Sequence, residues 1–213
     1  MTVVEVLMVL SVLSILFFLL ILRRSGSRVK ASRIACVNNL KQVGLAFRIW
    51  SNENGEKFPW AVAASATKSG GTLEFTESAE TWRHFRILSN ELSSPKVLVC
   101  PKDSRPRATS WDEFTSNKHL SYFAGLDADE TRPQTILSGD RNLKSTVPLT
   151  NGVLRLTTGT HVEWTDAIHQ SQGNIALGDG SAQQLTTSNL RKQIEAALST
   201  QTNQPVIRLA IPE

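Results

Sequence analysis

Apolar residues crowd the start of the chain. Met1 to Leu22 holds a single charged residue, Glu5, and neither Gly nor Pro. At about 1.5 Å per residue such a run predicts a helix of roughly 33 Å, enough for a hydrocarbon core of about 30 Å. Arg23 and Arg24 follow directly and read as the end of a span. A cleaved secretory signal would show a basic start, a shorter apolar stretch and a small-residue cleavage site. Nothing basic precedes this run and no Ala-x-Ala follows Leu22, so the segment is expected to be retained. Beyond Ser25-Gly26-Ser27, apolar or small residues recur at three- and four-residue spacing: Ile34, Val37, Leu40, Gly44, Phe47 and Trp50. Arg33, Lys41 and Arg48 lie off that stripe, the pattern of an amphipathic helix with one packing face. Gly55 supplies a C-terminal cap and Pro59 prevents continuation. The expectation is one helix of about 50 residues, apolar in its first half and amphipathic in its second. A bend is expected at Gly26, since glycine costs about 1 kcal/mol in a helix interior.

From residue 60 onward the pattern shortens. Ala61 to Thr76 is small, polar and Gly-containing and reads as a loop, whereas Ala79 to Leu92, with Trp82, Phe85 and Leu88, predicts a short helix. Lys96 to Cys100 reads as a short strand closed by Pro101. Further strands are expected at Leu120 to Ala124, Gln134 to Leu137, Val153 to Thr157, Asn174 to Leu177 and Ser181 to Leu185. The last two flank Gly178-Asp179-Gly180, whose Asp-Gly step is a strong hairpin signal. Asn189 to Leu198 predicts a terminal helix.

Composition excludes wholesale disorder: 213 residues carry a net charge of +4 with 40% hydrophobic content. The sequence pI of about 9.3 points to nucleic acid on its face. Much of the excess, however, sits in Arg23, Arg24, Arg28, Lys30 and Arg33, where basic residues more simply meet an anionic lipid surface. No interleaved aromatic and basic sheet motif accompanies them, so no nucleic-acid partner is expected. Cys36 and Cys100 are the two cysteines, too few for a zinc site on their own and enough for one disulfide. A bridge would close a loop of about 64 residues, worth roughly 4 kcal/mol in the chain-entropy picture, and would need an oxidising compartment. Two unrelated buried thiols are the alternative. Glu5 is the sharpest single residue, because an ionisable group inside an apolar span is costly and marks function by default. It lies about one turn from the helix start, where the dipole favours an anion, and the free amine of a neighbouring helix is its natural partner. A Glu that snorkels to the interface is the simpler reading.

Met1-Thr2-Val3-Val4-Glu5-Val6-Leu7-Met8-Val9-Leu10 resembles the mature N-terminus of type IV pilins and type II secretion pseudopilins. The resemblance extends along the chain. Cys36 to Ala46 is similar to a helix segment of bacterial prepilin-type proteins with an H-x9-DG signature, and Asn52 to Pro59 to their helix exit. Val99-Cys100-Pro101-Lys102-Asp103 and Gly139-Asp140-Arg141-Asn142 are similar to the same group. His169, nine further residues, then Asp179-Gly180 complete the signature. The resemblance implies that Met1 is the residue exposed and N-methylated after a prepilin peptidase removes a short basic leader. It implies that Glu5 registers each subunit against a neighbour's amine. His169 and Asp179 as a metal or catalytic pair offer fewer ligands than a stable site wants, and turn chemistry explains Asp179. Asp140 and Arg141 are expected to form an ion pair or a turn. Because major pseudopilins use a calcium loop, Asp127, Asp129 and Glu130 are the calcium candidates. They lack the EF-hand Gly and terminal Glu spacing, and a solvated acidic loop is the competing reading. No other cofactor is expected.

The expectation is an α+β, pilin-like fold with a long N-terminal helix packed on a C-terminal antiparallel sheet. Its parts would be a transmembrane or filament-core helix over 1–24, an amphipathic continuation over 25–55 and a globular head over 56–213. The expected function is that of a non-enzymatic structural subunit in a type IV pilus-like or type II secretion pseudopilus-like filament. Gly-x-Ser-x-Gly, phosphate-loop and His-Glu-x-x-His motifs are all missing from the sequence. The expected partners are other copies in a homo-oligomeric helical filament, the inner membrane before assembly, prepilin peptidase and an assembly platform. The head would be periplasmic before assembly, and the filament periplasmic or extracellular after it. A monomeric membrane-anchored periplasmic binding module is the rival.

Overall fold

The computed structural model describes the backbone of residues 2–22, 24–66, 70–201 and 205–213, and the side chains of those residues apart from 20–22 and 24–30. Met1 and Arg23 lie outside the described residues, as do the side chains of Arg24, Arg28 and Lys30. The chain divides into two units, Met1–Ile34 and Ala35–Glu213.

The first unit opens with helix α1, Val3–Leu22. Its start is set locally. The Thr2 N–H donates to Glu5 Oε2 at 2.7 Å, while the Glu5 and Val6 amides donate to the Thr2 carbonyl. A glutamate reaching back three positions to the N-cap amide is half of a capping box. Large apolar side chains of α1 are exposed on every face, including Leu7, Leu10, Phe17 and Phe18.

Here the expected fold is corrected. The described N-terminal helices are α1 and α2, Arg24–Glu53, and among the described residues there is no long pilin-like helix or apolar span of the kind expected. The described side chains of α1 span about 17 residues, or about 26 Å at the helical rise. Among the described residues no helix is long and apolar enough to cross a membrane. The Gly26 backbone, where a bend is expected, is helical within α2.

From Ala35 onward α2 belongs to the second unit and buries Cys36, Leu40, Val43, Ala46, Phe47 and Trp50. Ile34, expected on this face, is exposed instead. The stripe is rotated toward Cys36 and Val43 and begins later than the sequence pattern suggests. Gly55, at φ 74°, ends the helix where a left-handed residue was expected.

Short elements follow: α3, Trp82–Arg86, and several 3-10 turns. Residues 96–100, expected as a strand, begin instead with a 3-10 turn over Pro95–Leu98. Pro95 at its first position presets φ, and Ser94 Oγ accepts the Lys96 amide at 3.4 Å. This local capping overrides the β preference of Val97 and Val99.

The sheet is antiparallel. Its strands are β1, Tyr122–Gly125; β2, Ile136–Asp140; β4, Val153–Leu156; β6, Gln172–Leu177; β7, Ala182–Thr186; and β8, Ile207–Ala210. They are ordered β4-β8-β1-β2-β6-β7. A separate pair joins β3, Leu143–Ser145, to β5, Val162–Trp164. Helix α4, Asp166–His169, precedes β6, and α5, Thr187–Ser199, follows β7.

Alternate residues of the central strands feed two cores. Tyr122, Ala124, Leu137 and Ala176 pack toward Phe47 and the residues around α2. Phe123, Ile136, Ile175 and Leu177 pack with Leu190, Ile194 and Leu198 of α5. Strands covered on both faces are buried at consecutive positions, as in β1 and β2.

Candidate functional site

Four side chains converge from a helix interior, a turn exit, a strand end and a helix end. Cys36 comes from α2, and Cys100 follows the turn capped by Ser94. Asp140 closes β2, and His169 closes α4. Cys36, Cys100 and Asp140 are 0% exposed and His169 is 2% exposed. One ligand atom from each lies within 4.8 Å of every other. The cysteines stand at disulfide distance, their Cα atoms 5.3 Å apart. Cys100 Sγ is 3.4 Å from His169 Nε2, and Cys36 Sγ is 3.5 Å from Asp140 Oδ1. His169 Nε2 is also 3.5 Å from Asp140 Oδ2.

Surrounding residues hold these groups in place. Asp140 Oδ2 accepts the Asn174 backbone amide at 2.7 Å and Asn174 Nδ2 at 2.8 Å. Burial nevertheless raises the Asp140 carboxyl to about 7, outweighing those two bonds. The Tyr122 hydroxyl lies 3.5 Å from Cys36 Sγ. Burial, with the nearby Asp140 charge, holds the phenol well above its ordinary value. Directly after His169, Gln170 and Ser171 take φ of 55° and 57°. Two successive left-handed non-glycine residues cost about 1–2 kcal/mol each. Such strain persists where surrounding structure fixes the geometry, here with Ser171 Oγ donating to Asp166 Oδ1 at 2.6 Å.

Arg141 does not pair with Asp140, as expected from the sequence, but with Asp103, through Nε at 2.8 Å and Nη2 at 2.9 Å. Ser121 Oγ adds a bond to the same carboxylate at 2.8 Å. Burial works to raise Asp103, but the bonds from Arg141 and Ser121 prevail and leave it below its ordinary value. The two motifs around Cys100 and Asp140 are thus clasped together, freeing Asp140 to face the cysteines.

His169 and Asp179 are not brought together as a pair. Asp179 caps its own turn, Oδ1 accepting the Ser181 amide at 2.8 Å, and its carbonyl accepts Arg48 Nη1 at 2.8 Å. Gly180, at φ 82°, lies against Gly44 of α2, where an added Cβ on Gly44 would meet the Gly180 carbonyl at 3.2 Å. The Asp-Gly step therefore builds the hairpin turn and its seat on α2.

The calcium candidates are likewise engaged elsewhere. Asp127 holds Arg208 of β8, with Nη2 at 2.7 Å, and Asp129 accepts from Arg132 and Thr131. Glu130 takes Arg48 at 3.1 Å and Ser51 Oγ at 2.6 Å. Arginines neutralise all three carboxylates, so calcium at this loop is unsupported. The loop borders an open cleft of about 960 Å³ with Phe58 and Trp60 on another wall.

Comparison with known proteins brings no relative to this geometry. The chain matches no family model, no curated protein and no solved structure. The cysteine, aspartate and histidine cluster thus stands on its own chemistry. It offers two sulfurs, an imidazole and a carboxylate in a dry interior, a donor set suited to disulfide formation or to a transition metal. The sequence pairs His169 with Asp179 and Asp140 with Arg141, and nothing in it shows that Asp140 and His169 both face the cysteines. Their gaps in the sequence, 36 to 100 to 140 to 169, follow no local metal motif.

Proposed function

We propose that this protein is a structural subunit of a pilus-like or pseudopilus-like filament, with α1 as its assembly element. The observation that carries the reading is the exposure of α1. Its large side chains face outward on all sides, with Leu7 61%, Leu10 56% and Phe17 67% exposed. A helix that is apolar all round belongs in an interior, and covering each such side chain is worth about 1.5–3 kcal/mol. Neighbouring α1 helices in a filament core provide that cover on every face. The N-terminal residues through Leu10, which resemble a mature pilin N-terminus, support the same reading. A head placed outside the cytoplasm suits the cysteine pair, which becomes a disulfide in an oxidising compartment.

Glu5 has two roles in this account. Its Oε2 caps α1 within the chain, and its charge sets the register between neighbouring helices. Two variants separate them. Glu5→Gln keeps an acceptor for the Thr2 amide but removes the charge, whereas Glu5→Ala removes both. Electron microscopy of sheared cell-surface material, with mass spectrometry of the N-terminal peptide, reads the outcome. Wild type is expected as filaments bearing an N-methylated first residue, with assembly strongly reduced in both variants. Normal filament yield from Glu5→Gln would remove the registering charge. Lone molecules with an unmodified amino end would replace the filament reading with the anchored binding module.

A further inference from the structure

The four-residue cluster has a second use that does not depend on filament assembly. We propose that, with both cysteines as thiols, Cys36, Cys100, Asp140 and His169 bind one zinc-class divalent ion tetrahedrally.

The geometry argues for this ion class. A tetrahedral ion with bonds of about 2.3 Å to sulfur and about 2.0–2.1 Å to nitrogen or oxygen has sulfur–nitrogen, sulfur–oxygen and nitrogen–oxygen edges of about 3.3–3.6 Å. The structure places Cys100 Sγ 3.4 Å from His169 Nε2 and Cys36 Sγ 3.5 Å from Asp140 Oδ1, while the other carboxylate oxygen, Oδ2, lies 3.5 Å from His169 Nε2; one ligand atom from each residue lies within 4.8 Å of the others. The sulfurs, at disulfide distance in the structure, part to an edge of about 3.8 Å as thiolates on the ion. Two thiolates and an imidazole favour zinc, cobalt or iron over calcium and magnesium, which take oxygen ligands.

The surroundings match those of a protein metal site, in which hydrogen bonds orient the ligands. Asn174 fixes the Asp140 carboxylate through two donors. The Tyr122 hydroxyl stands beside Cys36 Sγ as a donor to thiolate. The left-handed pair Gln170-Ser171 sets the exit of the chain from His169. Burial of all four ligands excludes competing water, as in structural sites with no open coordination position.

Binding releases two protons, one from each thiol, and forms two metal–sulfur bonds. The disulfide form uses the same sulfurs and leaves His169 and Asp140 as two donors, too few for tight binding. Metal and disulfide are therefore alternative occupants of one site. Passage from disulfide to dithiol needs two electrons from a reductant such as a phosphine and two protons from water, the phosphine leaving as its oxide, and metal binding then releases the two protons.

The test uses the full chain in detergent, reduced with a phosphine, stripped of metal and titrated with Co²⁺. The expected result is one equivalent bound, with the ligand-field bands of tetrahedral cobalt and a near-ultraviolet sulfur-to-cobalt band. Zn²⁺ should displace it and protect both thiols from alkylation, and the oxidised chain should give neither band. His169→Asn should weaken Co²⁺ binding by about 10-fold or more. Reduced wild-type protein without the tetrahedral spectrum would overturn the proposal, as would thiols still alkylated at full rate in excess Zn²⁺. Both readouts come from wild type, so the folding of the variant does not decide the outcome.

Discussion

His84 is fully buried, with Nδ1 2.7 Å from Thr72 Oγ1 and its ring against Trp60. Burial lowers its pKa from 6.5 to about 4, and the Phe75 carbonyl offsets only part of that shift. Between those values the unfolded chain takes up a proton that the folded chain refuses. The stability due to the neutral ring is therefore complete above pH 6.5 and lost as pH falls toward 4. The full shift corresponds to about 3 kcal/mol. His84→Gln retains a partner for Thr72 and removes the titration. Urea unfolding at pH 7 and pH 4.5 should show wild type losing roughly 2–3 kcal/mol more than the variant. Equal acid responses would contradict the assignment. The sequence does not announce this environment, because Thr72 and Trp60 reach His84 from segments without periodicity.

Among the elements, α2 and the hairpin of β6 and β7 show what periodicity conveys. Leu40, Gly44, Phe47 and Trp50 lie on one face because the helical repeat puts them there, and all four are buried. The Asp-Gly step marked the turn, and the structure adds its seat on Gly44 and Arg48. Other elements were hidden. β8 carries the alternating Ile207 and Leu209, yet it enters the sheet between β4 and β1, a placement set by long-range pairing. β3 and β5 are three residues each, too short for a period to register. The Gly44 contact yields a prediction. Gly44→Val pushes methyl groups into the Gly180 backbone at a position where even a Cβ lies 3.2 Å from its carbonyl. Overpacking of this kind costs about 1–3 kcal/mol, read as a lower denaturant midpoint with an unchanged slope. An unchanged midpoint would show that the turn yields freely.

For the whole molecule, the sequence conveyed an apolar start and an α+β remainder more readily than the site. The cluster of Cys36, Cys100, Asp140 and His169 is assembled from four distant segments by the packing of α2 on the sheet and by the clasp of Asp103 with Arg141. Folding creates the proximity, so no spacing rule announces it. The apolar start was legible as composition, but its organisation was not: α1 is described over Val3–Leu22, and among the described residues no helix is long and apolar enough to cross a membrane. The exposed apolar side chains of α1 form a surface that demands company. Analytical ultracentrifugation of the full chain after detergent removal, for wild type and for Leu13→Arg, tests this most directly. Leu13 is 55% exposed and belongs to the first unit, so the variant should leave the thermal unfolding of the second unit unchanged. Wild type is predicted to sediment as large ordered assemblies and Leu13→Arg as single chains. Equal assembly by the two proteins, or wild type sedimenting as single chains, would contradict the central claim.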